Sequence, residues 1–191
     1  RDVAPSRGLG DVYKRQVIYS KRVKEVLTMI IRKATIKDLK AITAVEATCF
    51  PPAEAASRSN FKKRLKTYPN HFWLLEDEGK LISFINGMVT NETTINDIMF
   101  EDASLHDEAG EWQAIFGVNT IPEYRQQGLA AKVMQVVIDD ARMAGRKGCI
   151  LTCKDKLLHY YEKFGFKNCG ISQSMHGGAI WYDMRLEFEH E

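Results

Sequence analysis

The stretch Arg125-Gln126-Gln127-Gly128-Leu129-Ala130 constrains the fold most, because it joins a strand pattern to a helix pattern. Upstream, residues 112–119 form a largely apolar run that predicts one buried strand, and Pro122 marks the turn after it. Downstream, apolar residues recur at helical spacing over residues 129–144. The first N–H groups of a helix have no intrahelical partner and carry the positive end of the helix dipole. The loop is therefore a candidate cradle for a phosphate-like anion.

The loop differs from two common phosphate-binding sequences. No Gly-Lys-Ser or Gly-Lys-Thr completes a Walker loop, and the dinucleotide fingerprint needs three glycines and an acidic residue after the next strand. A glycine at a helix start is also compatible with a simple tight turn. Its function has to be argued from other residues.

Length and composition predict one globular domain with a tail. Of 191 residues, 45% are hydrophobic and 27% are charged, which is ordinary for a soluble globular protein. The formal net charge of +2 favours no nucleic-acid partner, and the chain lacks the run of about eighteen apolar residues that spans a membrane. The cysteines lack paired metal-ligand spacing, so we predict no metal, free thiols and a cytoplasmic location. They are Cys49, Cys149, Cys153 and Cys169.

The first 28 residues differ in character from the rest. They are basic and contain glycine, without the apolar run and small-residue cleavage site of a signal peptide. Met29 begins a short strand pattern, and Thr35 with Asp38 three residues later forms a capping-box variant. We expect residues 1–28 to be an N-terminal extension, non-native or disordered, and residues 29–191 to be the folded domain. A helical arm over residues 17–27 that docks on a partner is the alternative.

The other patterns predict alternating helices and strands. Helices are expected over residues 35–49 and 54–68, and strands over residues 71–76 and 81–90, joined by the turn Asp77-Glu78-Gly79-Lys80. After the helix at 129–144, we expect a strand at 149–153, a helix at 157–163, and closing strands at 166–172 and 179–188. Residues 91–110 are polar and acidic and predict a long loop. This order favours an α/β (α+β mixed) fold with helices on both faces of a mixed sheet.

Two motifs in this order resemble the GNAT superfamily of acyl-CoA N-acyltransferases. Arg125-x-x-Gly128-x-Ala130 after a strand resembles its pyrophosphate-binding motif, and Tyr161-Glu162-Lys163-Phe164-Gly165-Phe166 resembles its Tyr-x-x-x-Gly-Phe block. With Cys153, Asp155 and Leu157, the pattern is most similar to the serotonin (arylalkylamine) N-acetyltransferases and their microbial relatives. The resemblance implies the GNAT fold, with a central mixed, mostly antiparallel twisted sheet.

The resemblance also implies acetyl-CoA as the co-substrate. It places the pyrophosphate on backbone amides at the helix start, and the pantetheine arm along the end of the preceding strand. A backbone N–H near Val118 would polarise the thioester carbonyl. The predicted cofactor-binding residues are Val118, Asn119, Thr120, Arg125, Gln126, Gln127, Gly128, Leu129, Ala130 and Ala131.

The family position of Tyr161 implies the general acid that protonates the leaving thiolate. The ordinary pKa values of a thiol, about 8.5, and of tyrosine, about 10, are close enough for this proton transfer. The two histidines of vertebrate-type arylalkylamine enzymes align with Ala114 and Phe116, which cannot move a proton. Glu111, just ahead of them, is the predicted base, acting through ordered water. In the alternative reading, Glu111 is only a solvated residue at a strand end. The rival bases are His106, Asp107 and Glu108.

The acceptor site is predicted from Cys49-Phe50-Pro51-Pro52-Ala53-Glu54, which resembles the proline-containing flexible loop over the amine pocket of the family. In the alternative reading, the prolines only end a helix and Glu54 caps the next one. The predicted substrate residues are Phe50, Pro51, Pro52 and Glu54.

These observations predict an N-acetyltransferase that moves an acetyl group from acetyl-CoA to the primary amine of a small molecule, an arylalkylamine being one candidate. The transfer is expected to be direct, in a ternary complex. The alternatives are a peptide or protein N-acetyltransferase and an acyl-CoA-binding GNAT module without turnover. As partners we expect the small amine, no nucleic acid and no membrane, with the chain a monomer or a homodimer.

Overall fold

The structure is a computed structural model that describes residues 29–189, so the expectation for residues 1–28 lies outside the described residues. The strands are β1 (Met29–Lys33), β2 (Phe72–Asp77), β3 (Lys80–Asn86), β4 (Val89–Thr90), β5 (Trp112–Ile115), β6 (Gly117–Thr120), β7 (Gly148–Cys153), β8 (Lys167–Ile171) and β9 (Tyr182–Glu187). The helices are α1 (Leu39–Cys49), α2 (Arg58–Thr67), α3 (Ile98–Glu101), α4 (Leu129–Met143) and α5 (Leu158–Glu162).

Local signals set the ends of the first helices. The predicted capping box is present, with the Thr35 N–H donating to Asp38 Oδ2 at 2.7 Å, and it opens the 3₁₀ turn that leads into α1. Phe50 is extended at the end of α1, as expected for a residue before proline. Ser57, and not Glu54, caps α2, because its side chain accepts the N–H of Asn60 at 3.1 Å.

The strands form two connected sheets. One has the order β1-β2-β3-β6 and is antiparallel throughout; the other has the order β4-β5-β7-β9-β8, in which only the β5–β7 pairing is parallel. The prediction of a mixed, mostly antiparallel sheet is confirmed. None of the helices described between residues 29 and 189 has the length and apolar content that crossing a bilayer requires.

Helices cover both faces of the first sheet, as predicted. Phe84 of β3 packs edge-on against Phe61 of α2, with 6.0 Å between the ring centroids. Trp73 of β2 points to the opposite face, where its indole N–H donates to Asp140 of α4 at 2.6 Å. Because successive strand residues alternate between the faces, every residue of β3 from Leu81 to Asn86 is buried.

The two sheets separate at a pair of facing breaks, which corrects the expectation of single strands over residues 81–90 and 112–119. A Cβ on Gly87 would lie 1.7 Å from the carbonyl oxygen of Ala114, so the chain passes too closely there for any other residue. Opposite it, Phe116 divides β5 from β6 and its N–H donates to the carbonyl of Asn86 at 2.8 Å. As a result β6 stays with β3 while β5 stays with β7.

The separation leaves an opening at one end of the second sheet. The β5–β7 pairing ends at Ile115 and Leu151, yet β7 continues to Cys153. Along this stretch β6 has already turned toward β3. The edges of β6 and β7 therefore diverge, and the start of α4 lies at the mouth of the gap.

Candidate active site

A cleft of about 650 Å³ occupies the gap between β6 and β7. It brings together most of the residues predicted from sequence, which come from the end of α1, from β6, from the start of α4 and from α5. Those that line it are Phe50, Pro51, Glu54, Val118, Thr120, Arg125, Gln126, Gly128, Leu129, Ala130, Ala131 and Tyr161.

The start of α4 has the geometry of an anion cradle. Gly128 precedes the helix with φ +72°, and no side chain caps the first turn. A Cβ built on Gly128 would meet nothing within 4 Å, so this glycine faces open space and not packed protein. The Arg125 guanidinium is anchored beside it by donating from Nε to the carbonyl of Thr120 at 2.9 Å. Uncapped N–H groups beside a cation suit a pyrophosphate, so the residues present fit acetyl-CoA.

The edge of β6 offers backbone groups to the cleft. The N–H of Ile121 donates to the carbonyl of Ile82 in β3, and N–H directions alternate along a strand. The N–H groups of Val118 and Thr120 therefore point away from β3 and toward the gap. The Asn119 side chain is completely buried.

Two predicted cofactor residues place their side chains outside the cleft. Asn119 lies in the interior behind β6, and Gln127 is exposed, with Nε2 donating to the carbonyl of Glu123 at 3.4 Å. A role for either residue can involve only its backbone.

Tyr161 lies at the cleft wall with only 6% of its surface exposed. Burial raises its pKa, so the phenol is protonated at neutral pH but is a weaker acid than an ordinary tyrosine. Burial also raises the pKa of the nearby Cys153 thiol to about 11, which leaves it a poor nucleophile. These surroundings disfavour Cys153 as a covalent nucleophile.

The predicted base Glu111 is not brought to the cleft. Its carboxylate pairs with Lys147 at 2.7 Å on the surface, which matches the alternative reading of a solvated strand end. The rivals also lie elsewhere: Glu108 joins a separate cluster with His71, His106 and Arg146, while Asp107 accepts the N–H of Ala109 within a turn. None of these residues lines the cleft or the second cavity beside it.

A second cavity of about 280 Å³, here called the inner cavity, shares Phe50, Glu54 and Trp181 with the cleft. Its polar wall includes Glu46, on the buried face of α1 and 5% exposed. One carboxylate oxygen of Glu46 accepts the N–H of Ala56 at 3.0 Å; the other lies beside the buried amide of Asn119 without a hydrogen bond of normal geometry. Burial raises the pKa of this carboxyl group.

Glu46 lies close to the strand break. Its unpartnered oxygen is 3.8 Å from the position a Cβ would take on Gly117, the residue before Val118. The structure thus brings a carboxyl with a raised pKa next to the predicted oxyanion donor. When ionised, a carboxylate with a raised pKa is a stronger base than an ordinary one.

The proline loop forms a rim between the two spaces. Phe50 lines both, Pro51 lines the cleft, and Pro52 is exposed and lines neither. Glu54 lines both, but its carboxylate accepts from Lys154 Nζ at 2.7 Å. The ion pair with Lys154 therefore largely offsets any attraction of Glu54 for a cationic amine.

Sequence reasoning missed two buried charged residues, Glu46 and Arg64. Glu46 falls on the apolar face of α1 with Leu39, Ile42 and Val45, where a glutamate is out of pattern. Arg64 likewise shares the buried face of α2 with Phe61 and Leu65. A charge on an apolar helix face was the available signal in both cases.

Comparison with known proteins agrees with this geometry. A sequence profile described as the acetyltransferase (GNAT) family matches residues 39–166. The loading GNATL domain of CurA from Lyngbya majuscula is similar in structure, with a TM-score of 0.72 at 16% identity over 83% of this chain and 97% of that chain. The ribosomal-protein-S18-alanine N-acetyltransferase from Escherichia coli gives 0.66 at 19% identity, over 85% and 96%. A GNAT family acetyltransferase from Brucella melitensis, solved in complex with acetyl-CoA, gives 0.55 at 19%, over 85% and 90%.

Proposed function

We propose that this chain, which belongs to the acetyltransferase (GNAT) family, acetylates the primary amine of a small molecule. The chain is an acyl-CoA-dependent acetyltransferase, and acetyl-CoA is its co-substrate. The acceptor class, the roles of the site residues and the likeness to the arylalkylamine enzymes are proposals.

The inner cavity carries the proposal. With about 280 Å³ it falls just below the range of about 300–1,000 Å³ typical of small-molecule pockets. Its outer side is bridged, since His176 Nε2 lies 2.9 Å from the carbonyl oxygen of Glu54, and the Trp181 indole N–H donates to the carbonyl of His176 at 2.8 Å. A peptide acceptor needs an open groove between the Pro51 loop and the segment around Met175. The bridge across this interval favours a small acceptor.

Aromatic walls support the likeness to arylalkylamine enzymes. Phe100 and Phe116 pack edge-on with 5.0 Å between ring centroids, and both line the inner cavity together with Phe50 and Trp181. An acceptor with an apolar or aromatic body would bury its surface against these rings.

The proposed donor site follows the cleft. The backbone at the start of α4 and Arg125 hold the pyrophosphate, and the edge of β6 holds the pantetheine arm. When bound, acetyl-CoA supplies the activated thioester. The N–H of Val118 then donates to its carbonyl oxygen as negative charge develops there.

In the proposed chemistry Glu46 takes the place that the sequence assigned to Glu111. Glu46 accepts a proton from the acceptor's ammonium group, and the neutral amine attacks the thioester carbon. As the C–S bond breaks, the Tyr161 hydroxyl donates its proton to the departing sulfur, and the second proton of the attacking nitrogen returns the Tyr161 phenolate to the phenol. Glu46 releases the first proton to solvent after the products leave, so both residues regain their starting states. The products are the N-acetylated amine and the free thiol of CoA.

The test is thiol release from acetyl-CoA with a panel of arylalkylamines, polyamines and peptides of increasing length. We expect the highest kcat/KM for a small amine, with activity falling once the acceptor exceeds the inner cavity. Higher kcat/KM for peptides would contradict the acceptor class. Binding of CoA without turnover on any acceptor would favour the module without turnover. The cytoplasmic location and the monomer or homodimer stay predictions.

A further inference from the structure

Arg64 is a nearly buried guanidinium on the wall of the inner cavity, with 3% of its surface exposed. One terminal nitrogen donates to Asn86 Oδ1 at 3.0 Å and the other donates to the carbonyl of Phe100 at 2.7 Å. Its Nε–H has no partner among the described residues. A guanidinium has five N–H donors, so these two bonds leave most of its capacity unused.

Arg64 forms no salt bridge among the described residues, and the carboxylates of Glu46 and Glu101 act on its charge only through space. Both of its hydrogen-bond acceptors, an amide oxygen and a backbone carbonyl, are neutral. Burial lowers the pKa of Arg64, as expected for a cation removed from water without an ion pair. An unpaired buried charge is costly, and a fold that keeps one beside a cavity can recover that cost by binding an anion there.

A purely structural role for Arg64 would not explain why a charged side chain is buried here. A tie between β3 and the α3 segment requires donors to Asn86 and Phe100, which a neutral side chain could supply without a charge to bury. Arg64 is also flanked by aromatic rings, with its guanidinium carbon 5.1 Å from the Phe116 ring centroid. This packing fixes its planar donor fork in one position on the cavity wall, as carboxylate recognition requires.

The other charges on the cavity wall indicate which carboxylate fits. Glu46 and Glu101 are acidic, and Glu101 accepts from Asn60 at 3.0 Å at the exposed side. A ligand carrying only negative charge would be repelled by these groups. A zwitterion can place its ammonium group toward Glu46 and its carboxylate toward Arg64 in the same small cavity.

We propose that Arg64 binds the carboxylate of an acceptor of the amino-acid type, whose amine lies toward Glu46. The inference rests on the proposed function and narrows its acceptor from a small amine to a small amino acid. A carboxylate could also come from the acyl group of the donor thioester, and the experiment separates the two sources.

The experiment compares matched acceptors that differ only by the carboxylate, such as phenylalanine with phenethylamine and glycine with methylamine. With acetyl-CoA we expect kcat/KM to favour the amino acid of a pair by about tenfold or more, the scale of a charge-assisted hydrogen bond. Arg64→Gln should abolish this preference through KM, and Arg64→Lys should retain part of it. Arg58→Gln, which removes an exposed cation from the same helix, should leave the preference intact.

Asn86→Asp is a second test that keeps Arg64 in place, in case Arg64→Gln fails to fold. It puts a carboxylate at the position that now accepts from Arg64 at 3.0 Å, so the guanidinium is neutralised from within the protein. We expect this variant to remain folded by circular dichroism and to lose the preference for amino acids. Retention of the full preference in Asn86→Asp would overturn the proposal.

A donor arm with acetyl-CoA, malonyl-CoA and succinyl-CoA completes the design. A preference for the carboxylated donors, with no preference among matched acceptors, would overturn the amino-acid assignment. So would equal kcat/KM within every matched pair. If no acceptor is acetylated at all, the proposed function fails, and calorimetric binding of phenylalanine against phenethylamine to the CoA-loaded protein still tests Arg64. Tighter binding of phenylalanine that Asn86→Asp removes supports the inference; equal binding overturns it.

Discussion

Tyr161 and Tyr160 are neighbouring phenols at the wall of the cleft, and only Tyr161 occupies the position of the family motif. We predict that Tyr161→Phe lowers kcat by about a hundredfold or more, the usual scale for loss of a general acid, while the Kd of acetyl-CoA changes little. Pre-steady-state thiol release and calorimetric titration measure the two quantities. Tyr160→Phe, which removes a buried hydroxyl with no partner among the described residues, is the matched control. Equal loss of turnover and binding in Tyr161→Phe would indicate a packing role.

Glu46 should set the acidic limb of the pH profile. Burial raises its pKa above the ordinary 4.5, so kcat/KM should rise with pH through a midpoint above that value as the carboxyl ionises. In Glu46→Gln we expect that limb to disappear and kcat/KM to fall by about a hundredfold. Glu111→Gln is the control, because Glu111 pairs with Lys147 at the surface, and its profile should match the wild type. Loss of the limb in Glu111→Gln would restore the base predicted from sequence.

The same group makes a prediction about stability, with a definite sign. A carboxyl whose pKa is raised in the folded state is harder to ionise there than in the unfolded chain. The free energy of unfolding should therefore fall as pH rises from below 4.5 through the raised pKa of Glu46. Urea titrations across this interval should show a smaller fall in Glu46→Gln. An identical pH dependence in both proteins would mean that Glu46 keeps its ordinary pKa.

Among the elements, the start of α4 gives the sharpest test of the donor site. Gly128 has φ +72° and faces open space, so a larger side chain there is strained and would fill the cradle. We predict that Gly128→Val raises the Kd of CoA by at least about tenfold while urea unfolding stays cooperative. Gly79→Val in the β2–β3 turn is a matched control, since Gly79 has φ +80° and also faces open space. If both variants bind CoA equally well, the cradle is elsewhere.

Elements with local signals could be predicted, and those set by distant contacts could not. The capping box at Thr35, the turn at Gly79 and the start of α4 each depend on neighbouring residues, and the structure has all of them. The break at Phe116 depends on Gly87, which lies far away in sequence but meets Ala114 across the sheet. An apolar run on its own cannot show where a strand changes partners.

In the site, too, the part set by neighbouring residues could be predicted and the part set by distant contacts could not. The donor side is one contiguous segment around Arg125, so the motif was sufficient to find it. The acceptor side is assembled from α1, α2, β6 and residues 174–176, here called the closing segment. Glu46 becomes a candidate base only when α1 packs beside Gly117. Glu111 was the nearest carboxyl in sequence, but its strand end faces solvent.

Across the whole molecule, the inner cavity is closed by segments remote in sequence. The Asp97 carboxylate accepts from the Ser174 hydroxyl and, at 3.0 Å, from the N–H of Met175. One residue on, the His176 ring lies 2.9 Å from the carbonyl oxygen of Glu54 and is tilted against the Phe100 ring, with 4.8 Å between the ring centroids. Asp97 thus fastens the closing segment over the acceptor side, and it does not line the donor cleft.

Removing these two hydrogen bonds should therefore change KM for the acceptor and not KM for acetyl-CoA. We predict that Asp97→Ala raises KM for the acceptor by about fivefold or more, the scale of one or two lost hydrogen bonds, and leaves KM for acetyl-CoA unchanged. Asp102→Ala is the control from the same segment, because its carboxylate bonds only locally, to Ser104. Initial-rate measurements with each substrate varied in turn give both constants. A matching rise in both KM values would mean that Asp97 supports the whole fold, and the cavity would then lack an independent closing segment.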